Sequence, residues 1–359
     1  MAATEPHRLL HPGIASALGT AVLFGASTPL AKLLLGQMHP VTLAAVLYFG
    51  SGVGLLAGWA LHRTWSAVPP WHEAGLDRHD VRWLAGAIVM GGVIGPVLLM
   101  VGLTLTPASS ASLLLNLEGV LTAVLAWFVF HEHFGRNIVW GMILITLGGM
   151  VLSWDGDPTF TLPVGPFAVV GACLCWAVDN NLTRKISSKD PVLIAGVKGL
   201  IAGLVNLGLT QAIGIPLPGV WSCVLAGAVG LLGYGVSLVL FVYALRHVGA
   251  ARTGAYFSSA PFVGAIIALA LLREAPSAWF WVAAFLMGIG LWLHLTEHHA
   301  HEHNHEESAH THGHVHDEHH LHEHDFDGDG EERHTHFHVH APLLHSHPHY
   351  PDIHHRHRH

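Results

Sequence analysis

The apolar residues of this chain fall into ten long runs that are separated by short polar stretches. A helix of about 20 apolar residues spans a hydrocarbon core of about 30 Å. The pattern therefore predicts an all-α polytopic membrane protein with ten transmembrane helices. The predicted spans are residues 13–36, 40–61, 82–103, 107–130, 137–154, 164–184, 191–213, 219–244, 253–272 and 278–296.

The positive charges between the runs are distributed unevenly, which predicts an orientation. Lysine and arginine are enriched in cytoplasmic loops. With the N-terminus in the cytoplasm, the outer segments contain Arg273, with Lys32 near the end of the first run. We therefore expect an inner-membrane protein with both termini in the cytoplasm. The predicted inner segments contain the other loop charges: Arg8, Arg63, Arg78, Arg82, Arg136, Arg184, Lys185, Lys189, Arg246, Arg252, Arg333, Arg356 and Arg358.

The chain also repeats itself. Residues 102–132 align without gaps with residues 244–274, and both segments end in a glutamate, Glu132 and Glu274. Residues 24–32 align with residues 176–184, which places Lys32 over Arg184. The repeat predicts a first half over 1–154 and a second over 155–296. Five spans per half give the halves opposite orientations, as in the inverted repeats of secondary transporters.

The fourth span begins with Pro-Ala-Ser-Ser-Ala (107–111), turns at its centre and ends in a glutamate after an apolar run, and the second half contains its counterpart. This pattern resembles the EamA-type drug/metabolite transporter family. The resemblance covers residues 13–296. It implies ten helices, a substrate cavity between the halves, and export of small metabolites or amino acids without a nucleotide-binding domain. Family members often carry a proline at the centre of the fourth and ninth spans. Pro261 matches this pattern, whereas the first half has Glu118-Gly119.

Charged residues within the predicted spans are candidates for function, because a charge at the bilayer centre costs about 3 kcal/mol. Glu118 lies at the middle of the fourth span and Lys198 near the middle of the seventh, so we expect them to be partners. They form either a structural ion pair or a substrate or proton site. Asp179 and its neighbours form either a helix end that reaches the headgroups or a cavity lining. The further substrate or coupling candidates are Asn116, Asp179, Asn180, Asn206, Tyr256 and Ser258.

Small residues predict where the helices pack closely. Gly50, Gly54 and Gly58 recur every four residues along the second span, which is typical of a helix–helix contact face. The three cysteines lie inside apolar runs and indicate no disulfide framework.

The composition excludes several classes of function. Only 11% of the residues are charged, against about 25% in soluble domains. The spans contain no zinc-protease motif and no recognisable nucleophile with its base, so we expect a protein that is not an enzyme and that requires no cofactor. The membrane part has neither the charge nor the composition of a nucleic-acid-binding protein.

Residues 297–359 differ from the rest of the chain, because 24 of the 34 histidines lie between His298 and His359. Such a tract predicts a disordered cytoplasmic tail that binds metal ions, and imidazole suits nickel, cobalt and zinc. Asp325, Asp327 and Asp329 resemble the start of a calcium loop, but the twelfth position is a histidine. The predicted ligands are His301, His303, His305, His312, His314, His316, His319, His320, His322, His324, His334, His336, His338 and His340.

Three functions remain open at this stage. The first is export of divalent transition-metal ions, nickel or cobalt before zinc, with the tail capturing ions. His131 and His133 either belong to a solvated loop or hand ions from the tail to the cavity. The second is export of a small organic metabolite or amino acid, with the tail as a metal-responsive regulator. The third is a membrane-anchored metal buffer. The expected partners are the lipid bilayer and a metal ion or small solute.

Overall fold

The computed structural model describes residues 12–65, 76–130, 136–153, 163–186 and 189–296, together with 300–305, 308–314, 334–340 and 343–348 of the tail. The described part of 12–296 is helical. Its α-helices are α1 Pro12–Leu34, α2 Pro40–Trp65, α3 Asp80–Ala87, α4 Gly95–Leu105, α5 Ala108–Leu114, α6 Asn116–Phe130, α7 Arg136–Leu152, α8 Val164–Thr183, α9 Pro191–Ala212, α10 Val220–Gly230, α11 Ser237–Phe257, α12 Ala260–Leu272 and α13 Ala278–Leu295.

The helices confirm a polytopic membrane protein. Within the described residues, seven helical stretches are long and apolar enough to cross a membrane. Two shorter apolar helices, Arg136–Leu152 and Ala260–Leu272, coincide with the predicted fifth and ninth spans, and the 20-residue α8 coincides with the sixth. Ten membrane crossings and their inverted arrangement remain predictions. The seven stretches are Gly13–Leu34, Pro40–His62, Asp80–Leu105, Ala108–Phe128, Pro191–Ala212, Val220–Ala244 and Ala278–Leu295.

Two helices change their winding at positions that match in the repeat. The π-helical segment Ile88–Ile94 joins α3 to α4, and Leu231–Val236 joins α10 to α11. A π-helical turn disturbs the regular backbone hydrogen bonding, so its carbonyls are available to other donors. The Gly91 carbonyl accepts hydrogen bonds from the Tyr48 hydroxyl at 2.9 Å and from Trp176 Nε1 at 3.0 Å. Side chains of α2 and α8 therefore complete the bonding of this segment.

The fourth and ninth spans are both broken near their expected centres. Leu115 separates α5 from α6, and residues 258–259 separate α11 from α12. The ninth helix was expected to begin at residue 253, but α12 begins at Ala260 and residues 253–257 continue α11. The physical reason is Pro261, which occupies the first turn of α12. Proline suits a first turn, where its missing N–H leaves no hydrogen bond unmade.

Glycines allow α2 to pack closely between α9 and α10. A Cβ atom added to Gly52 would lie 2.1 Å from the backbone nitrogen of Leu200 in α9. A Cβ atom on Gly50 would lie 2.5 Å from the Cα atom of Gly227 in α10. Neither position has room for a side chain, so the backbones are in direct contact on both sides of α2.

The expected glycine face of α2 is confirmed only in part. Gly50 and Gly54 belong to it, and a Cβ atom on Gly54 would lie 2.4 Å from the Leu231 side chain. Gly58 does not belong, since a Cβ atom there would have no heavy atom of another helix or side chain within 4 Å. Gly52 was missed because it lies two residues from Gly50, about 200° around the helix. It faces α9, whereas the expected face meets α10 and the segment that follows it.

Polar contacts fix the start of α9 and the loop before α3. The Asp190 carboxylate accepts hydrogen bonds from the backbone amides of Val192 and Leu193 and so caps the helix. The Lys189 ammonium lies 3.1 Å from Asp77 Oδ2. The hydrogen bond from Lys189 lowers the pKa of the exposed Asp77 carboxyl, and the same contact raises the pKa of Lys189. These contacts connect the segments that lead into α3 and α9.

The tail contains four short strands where no regular structure was expected. Strand β1 (Ala300–His305) pairs antiparallel with β4 (Leu343–Pro348), and β2 (Ser308–His314) pairs antiparallel with β3 (His334–His340). The register places histidine opposite histidine, for example His312 opposite His336. The alternation of histidine with other residues has the period of two that a strand requires.

Candidate functional site

A buried ion pair joins α8 and α9 inside the bundle. The Lys198 ammonium contacts Asp179 Oδ2, and the Thr183 hydroxyl donates to Asp179 Oδ1 at 3.0 Å. Asp179 is 4% exposed, and its carboxylate packs directly against Gly91, where any side chain would overlap it. The glycine of the π-helical segment therefore makes the space in which this carboxylate is buried.

This pairing corrects two expectations. Lys198 was expected to pair with Glu118, but its partner is Asp179. Asp179 was expected either at a helix end reaching the headgroups or in a cavity lining, and its burial and ion pair exclude the headgroup interpretation. Both errors have one cause: depth along a helix can be estimated from sequence, whereas the direction in which a side chain points depends on how the helix is rotated against its neighbours.

Glu118 occupies the first turn of α6, directly after the break at Leu115. Its Oε1 atom accepts a hydrogen bond from Asn180 Nδ2 at 2.9 Å, and the same amide is 3.3 Å from the Thr122 hydroxyl. Among the described residues, no lysine or arginine forms a salt bridge with this carboxylate. Asn180 directly follows Asp179 on α8, so it connects Glu118 to the ion pair. The four expected residues Glu118, Asp179, Asn180 and Lys198 therefore form one polar cluster.

Two further expected residues support the backbone. Asn206 is fully buried, and its Nδ2 atom donates to the Gly92 carbonyl at 3.3 Å, which adds α9 to the helices that bind the π-helical segment. Asn116 Nδ2 donates to the Leu113 carbonyl at 2.9 Å at the C-terminal end of α5. In this conformation both amides bind carbonyls next to irregular helix turns.

Tyr256 and Ser258 lie at the break between α11 and α12, and both are half-buried. The Tyr256 carbonyl accepts hydrogen bonds from the Ser259 amide at 3.1 Å and the Ser259 hydroxyl at 2.6 Å. These bonds close the last turn of α11. The two residues therefore belong to the second helix break.

A shallow crevice, too narrow to hold a water molecule, lies where α1, α5 and α12 meet. It adjoins both helix breaks, since Leu115 and Ala260 contribute to its wall. The Ser112 hydroxyl is buried in this wall and has no hydrogen-bond partner among the described residues. The lining residues are Phe24, Gly25, Thr28, Ser112, Leu115, Ala260 and Pro261.

Three polar groups of the cluster's surroundings were missed from sequence. Thr122 lies one helical turn after Glu118 and contacts Asn180, while Tyr48 and Trp176 bind the Gly91 carbonyl. Tyrosine and tryptophan inside an apolar span carry a polar group that needs a partner when buried. That requirement was the available signal for Tyr48 and Trp176.

The predicted metal ligands are not tested by the structure. Among the described side chains, no group of three or more His, Cys, Asp or Glu residues could hold a metal ion. His131, His133 and the predicted ligands between 316 and 324 lie outside the described residues, as do Asp325, Asp327 and Asp329. For the predicted ligands from 301 to 314 and from 334 to 340 the backbone alone is described. Metal binding by the tail stays a prediction.

Comparison with known proteins establishes the family. The family model described as the EamA-like transporter family matches residues 11–154 and again residues 163–296. The chain belongs to the EamA-like transporter family. The resemblance recognised from the sequence is therefore confirmed, and the protein is a multi-pass membrane transporter that is embedded in lipid.

Relatives of this EamA-like transporter are named as transporters, and their names give no substrate. A protein of Methanothermobacter thermautotrophicus named "Uncharacterized transporter" is 31% identical, with 78% of this chain and 85% of that protein covered. "Uncharacterized transporter YyaM" of Bacillus subtilis is 24% identical, with 71% and 84% covered. A protein of known crystal structure shares the fold with a TM-score of 0.55 and 18% identity over 78% of this chain and 95% of that one.

Proposed function

We propose that this EamA-like transporter is a secondary exporter of a small organic solute that carries an amine. Glu118 binds the amine and, in the alternate step, a proton. The single observation that carries the proposal is the unequal pairing of the central charges: Asp179 is neutralised by Lys198, whereas Glu118 has a neutral amide as its hydrogen-bond partner.

The charged side chains of the site do not balance one another. Asp179 and Lys198 cancel, so an ionised Glu118 gives this cluster of described residues a net charge of -1. A charge in this position is costly unless a counter-ion accompanies it. Either a proton or a protonated amine supplies the missing positive charge. Because the two compete for one carboxylate, a proton gradient can drive the exchange of one for the other.

The surroundings of Glu118 favour an organic cation over a bare metal ion. Divalent nickel, cobalt and zinc need several imidazole, thiolate or carboxylate ligands once they are dehydrated. The described part of the bundle offers Glu118 together with neutral oxygens and amides from Asn180 and Thr122. Hydrogen-bonding groups of this kind suit an ammonium group, which keeps its own hydrogens as donors.

The two helix breaks support alternating access. The break after α5 and the break after α11 occupy corresponding positions in the repeat, and the crevice connects them. Secondary transporters place substrate between repeats, at discontinuous helices near the midplane. An inverted arrangement of two five-helix halves, with both termini in the cytoplasm of an inner-membrane protein, would allow the site to face each side in turn.

Replacing Glu118 with glutamine tests this function. We expect proton-driven transport into everted membrane vesicles to fall at least tenfold, because glutamine has the same shape but neither binds a proton nor balances an amine. The measurement is uptake of a panel of labelled amino acids, polyamines and other small amines with an imposed proton gradient.

Thr146→Ala is the control, since the Thr146 hydroxyl lies on α7 and donates to the Met142 carbonyl of the same helix. We expect it to retain most transport. Two results would contradict the proposal: transport that is unchanged in Glu118→Gln, or a panel in which every transported solute lacks an amine.

Metal export is the second candidate function, and the composition of the tail is the observation in its favour. The same vesicles, supplied with nickel, cobalt or zinc, test it directly. Metal accumulation above that of empty vesicles that is abolished in Glu118→Gln would replace the organic solute with a metal ion as the substrate.

A truncation after Thr296 separates the role of the tail from that of the bundle. We expect metal binding by the purified protein, measured by calorimetry, to be lost, because the described bundle contains no metal cluster. Solute transport should remain within about twofold of the full chain. Residual metal transport at reduced affinity would support metal export, and loss of every activity would support a metal buffer.

A further inference from the structure

Two charged side chains hold the corner between α4 and α5. Lys32, in the last turn of α1, donates from its ammonium group to the Leu103 carbonyl and to the Thr106 carbonyl, the latter at 3.0 Å. These carbonyls belong to the C-terminal end of α4, where backbone oxygens lack partners within the helix. A cation at this position also complements the negative end of the helix dipole.

Glu274 holds the other side of the same corner. Its Oε1 atom accepts a hydrogen bond from the Ala108 amide at 2.7 Å, and its Oε2 atom accepts one from the Ser109 amide at 2.9 Å. These amides begin α5, which has no side-chain cap of its own at Pro107. Glu274 follows α12, so the carboxylate connects the end of α12 to the start of α5 across 165 residues of sequence.

The three elements held together at this corner are the walls of the crevice. Lys32 follows Thr28 by one turn of α1, Ser109 precedes Ser112 by one turn of α5, and Glu274 follows the end of α12. On α1 and α5 the corner therefore lies one turn beyond the crevice, whereas α12 lines the crevice with Ala260 and Pro261 in its first turn and reaches the corner at its opposite end. Opening the bundle at this end requires the corner between α4 and α5 to move away from α1 and α12, which would break the hydrogen bonds of Lys32 and Glu274.

We propose that Lys32 and Glu274 form a polar latch that closes the crevice at the end of the bundle where α1 and α12 terminate, and that releases when the transporter opens to that side. This inference rests on the proposed transport function. The contacts suit a reversible latch because they are a few charged hydrogen bonds at the water-facing end of the helices, where water can replace them when they break. Under the predicted orientation, this end faces the outside of the cell.

Accessibility of a cysteine in the crevice tests the latch. Thr28→Cys serves as the reporter in a protein whose Cys173, Cys175 and Cys223 are replaced by alanine. The rate of reaction with a membrane-impermeant maleimide is measured in intact cells and in everted vesicles. We expect Glu274→Gln and Lys32→Gln each to increase labelling at least fivefold in one preparation, intact cells under the predicted orientation, and not in the other.

Arg273→Asn is the matched control, because Arg273 lies beside Glu274 in sequence and has a left-handed backbone with φ of 52° that asparagine tolerates. Its labelling rate should equal that of the reporter protein. Unchanged labelling in Glu274→Gln and Lys32→Gln, with both variants folded in detergent, would overturn the latch. Labelling needs no substrate, so this failure is distinct from failure of the amine-transport proposal.

A cross-link provides the converse measurement if a latch variant does not fold. In the double variant Ser109→Cys with Glu274→Cys, cross-linking by a short bifunctional methanethiosulfonate should block transport and slow labelling from the latch side, and a reducing agent should restore both. Transport that continues with the cross-link in place would overturn the proposal as well.

Discussion

Replacing Lys198 with methionine is expected to lower the free energy of unfolding by about 3 kcal/mol, because removal of one partner leaves the other as an unpaired buried charge. Asp179 has a side chain that is 5% exposed, so water cannot take the place of the ammonium group. Methionine has a similar length and volume, which limits the effect of the change on packing. Unfolding by sodium dodecyl sulfate in mixed micelles, followed by circular dichroism, measures the difference.

The reverse substitution and the double variant complete the experiment. Asp179→Asn should cost less, since the Lys198 side chain is 18% exposed and its ammonium group can reach water more easily. The double variant Asp179→Asn with Lys198→Met removes both charges and should recover most of the stability lost by Lys198→Met alone. A double variant as unstable as the lysine variant would show that the pair is not the source of the loss.

Gly52→Ala is expected to destabilise the protein by about 3 kcal/mol, at the upper end for overpacking of a close contact. The added Cβ atom would lie 2.1 Å from the Leu200 nitrogen and 2.6 Å from its Cα atom. Both atoms belong to the backbone, so no side-chain rotation can relieve the overlap, and α2 must move away from α9. Thermal unfolding in detergent, together with the yield of folded protein from membranes, measures the loss.

Gly58→Ala is the matched control, because it is the same change on the same helix at a position where the new methyl group meets nothing within 4 Å. Alanine is favoured over glycine inside a helix by roughly 0.5–1 kcal/mol, so this variant should be as stable as the original protein or slightly more so. Equal effects of the two substitutions would exclude the close contact as the cause.

The hydrophobic pattern predicted the helices well because membrane spans are set by length and apolar character, both of which are properties of the local sequence. The same pattern did not predict that α8 would bury Asp179, since burial depends on the glycine opposite it in another helix. Gly52 was missed for a related reason. A repeat of four residues reveals one contact face, whereas α2 is packed on two sides.

The sequence predicted which residues form the site, but it did not predict which of them pair with each other. Glu118, Asp179, Asn180 and Lys198 were all recognised, because a charge or amide inside an apolar run is visible in the sequence. The sequence could not predict whether Lys198 would form its ion pair with Asp179 or with Glu118, since both carboxylates lie at a depth that Lys198 can reach. The pairing decides the chemistry, because it leaves Glu118 as the carboxylate with a neutral partner.

The carbonyl of Gly91 has a consequence for how the bundle moves. It joins α2 and α8 to the π-helical segment through Tyr48 and Trp176, and Asn206 adds α9 through the neighbouring carbonyl. We therefore expect these helices to travel as one rigid body during the transport cycle. The relative movement then takes place where this rigid body meets α1, α5 and α12. Distances between labels on these three helices and labels on the rigid body should therefore change most.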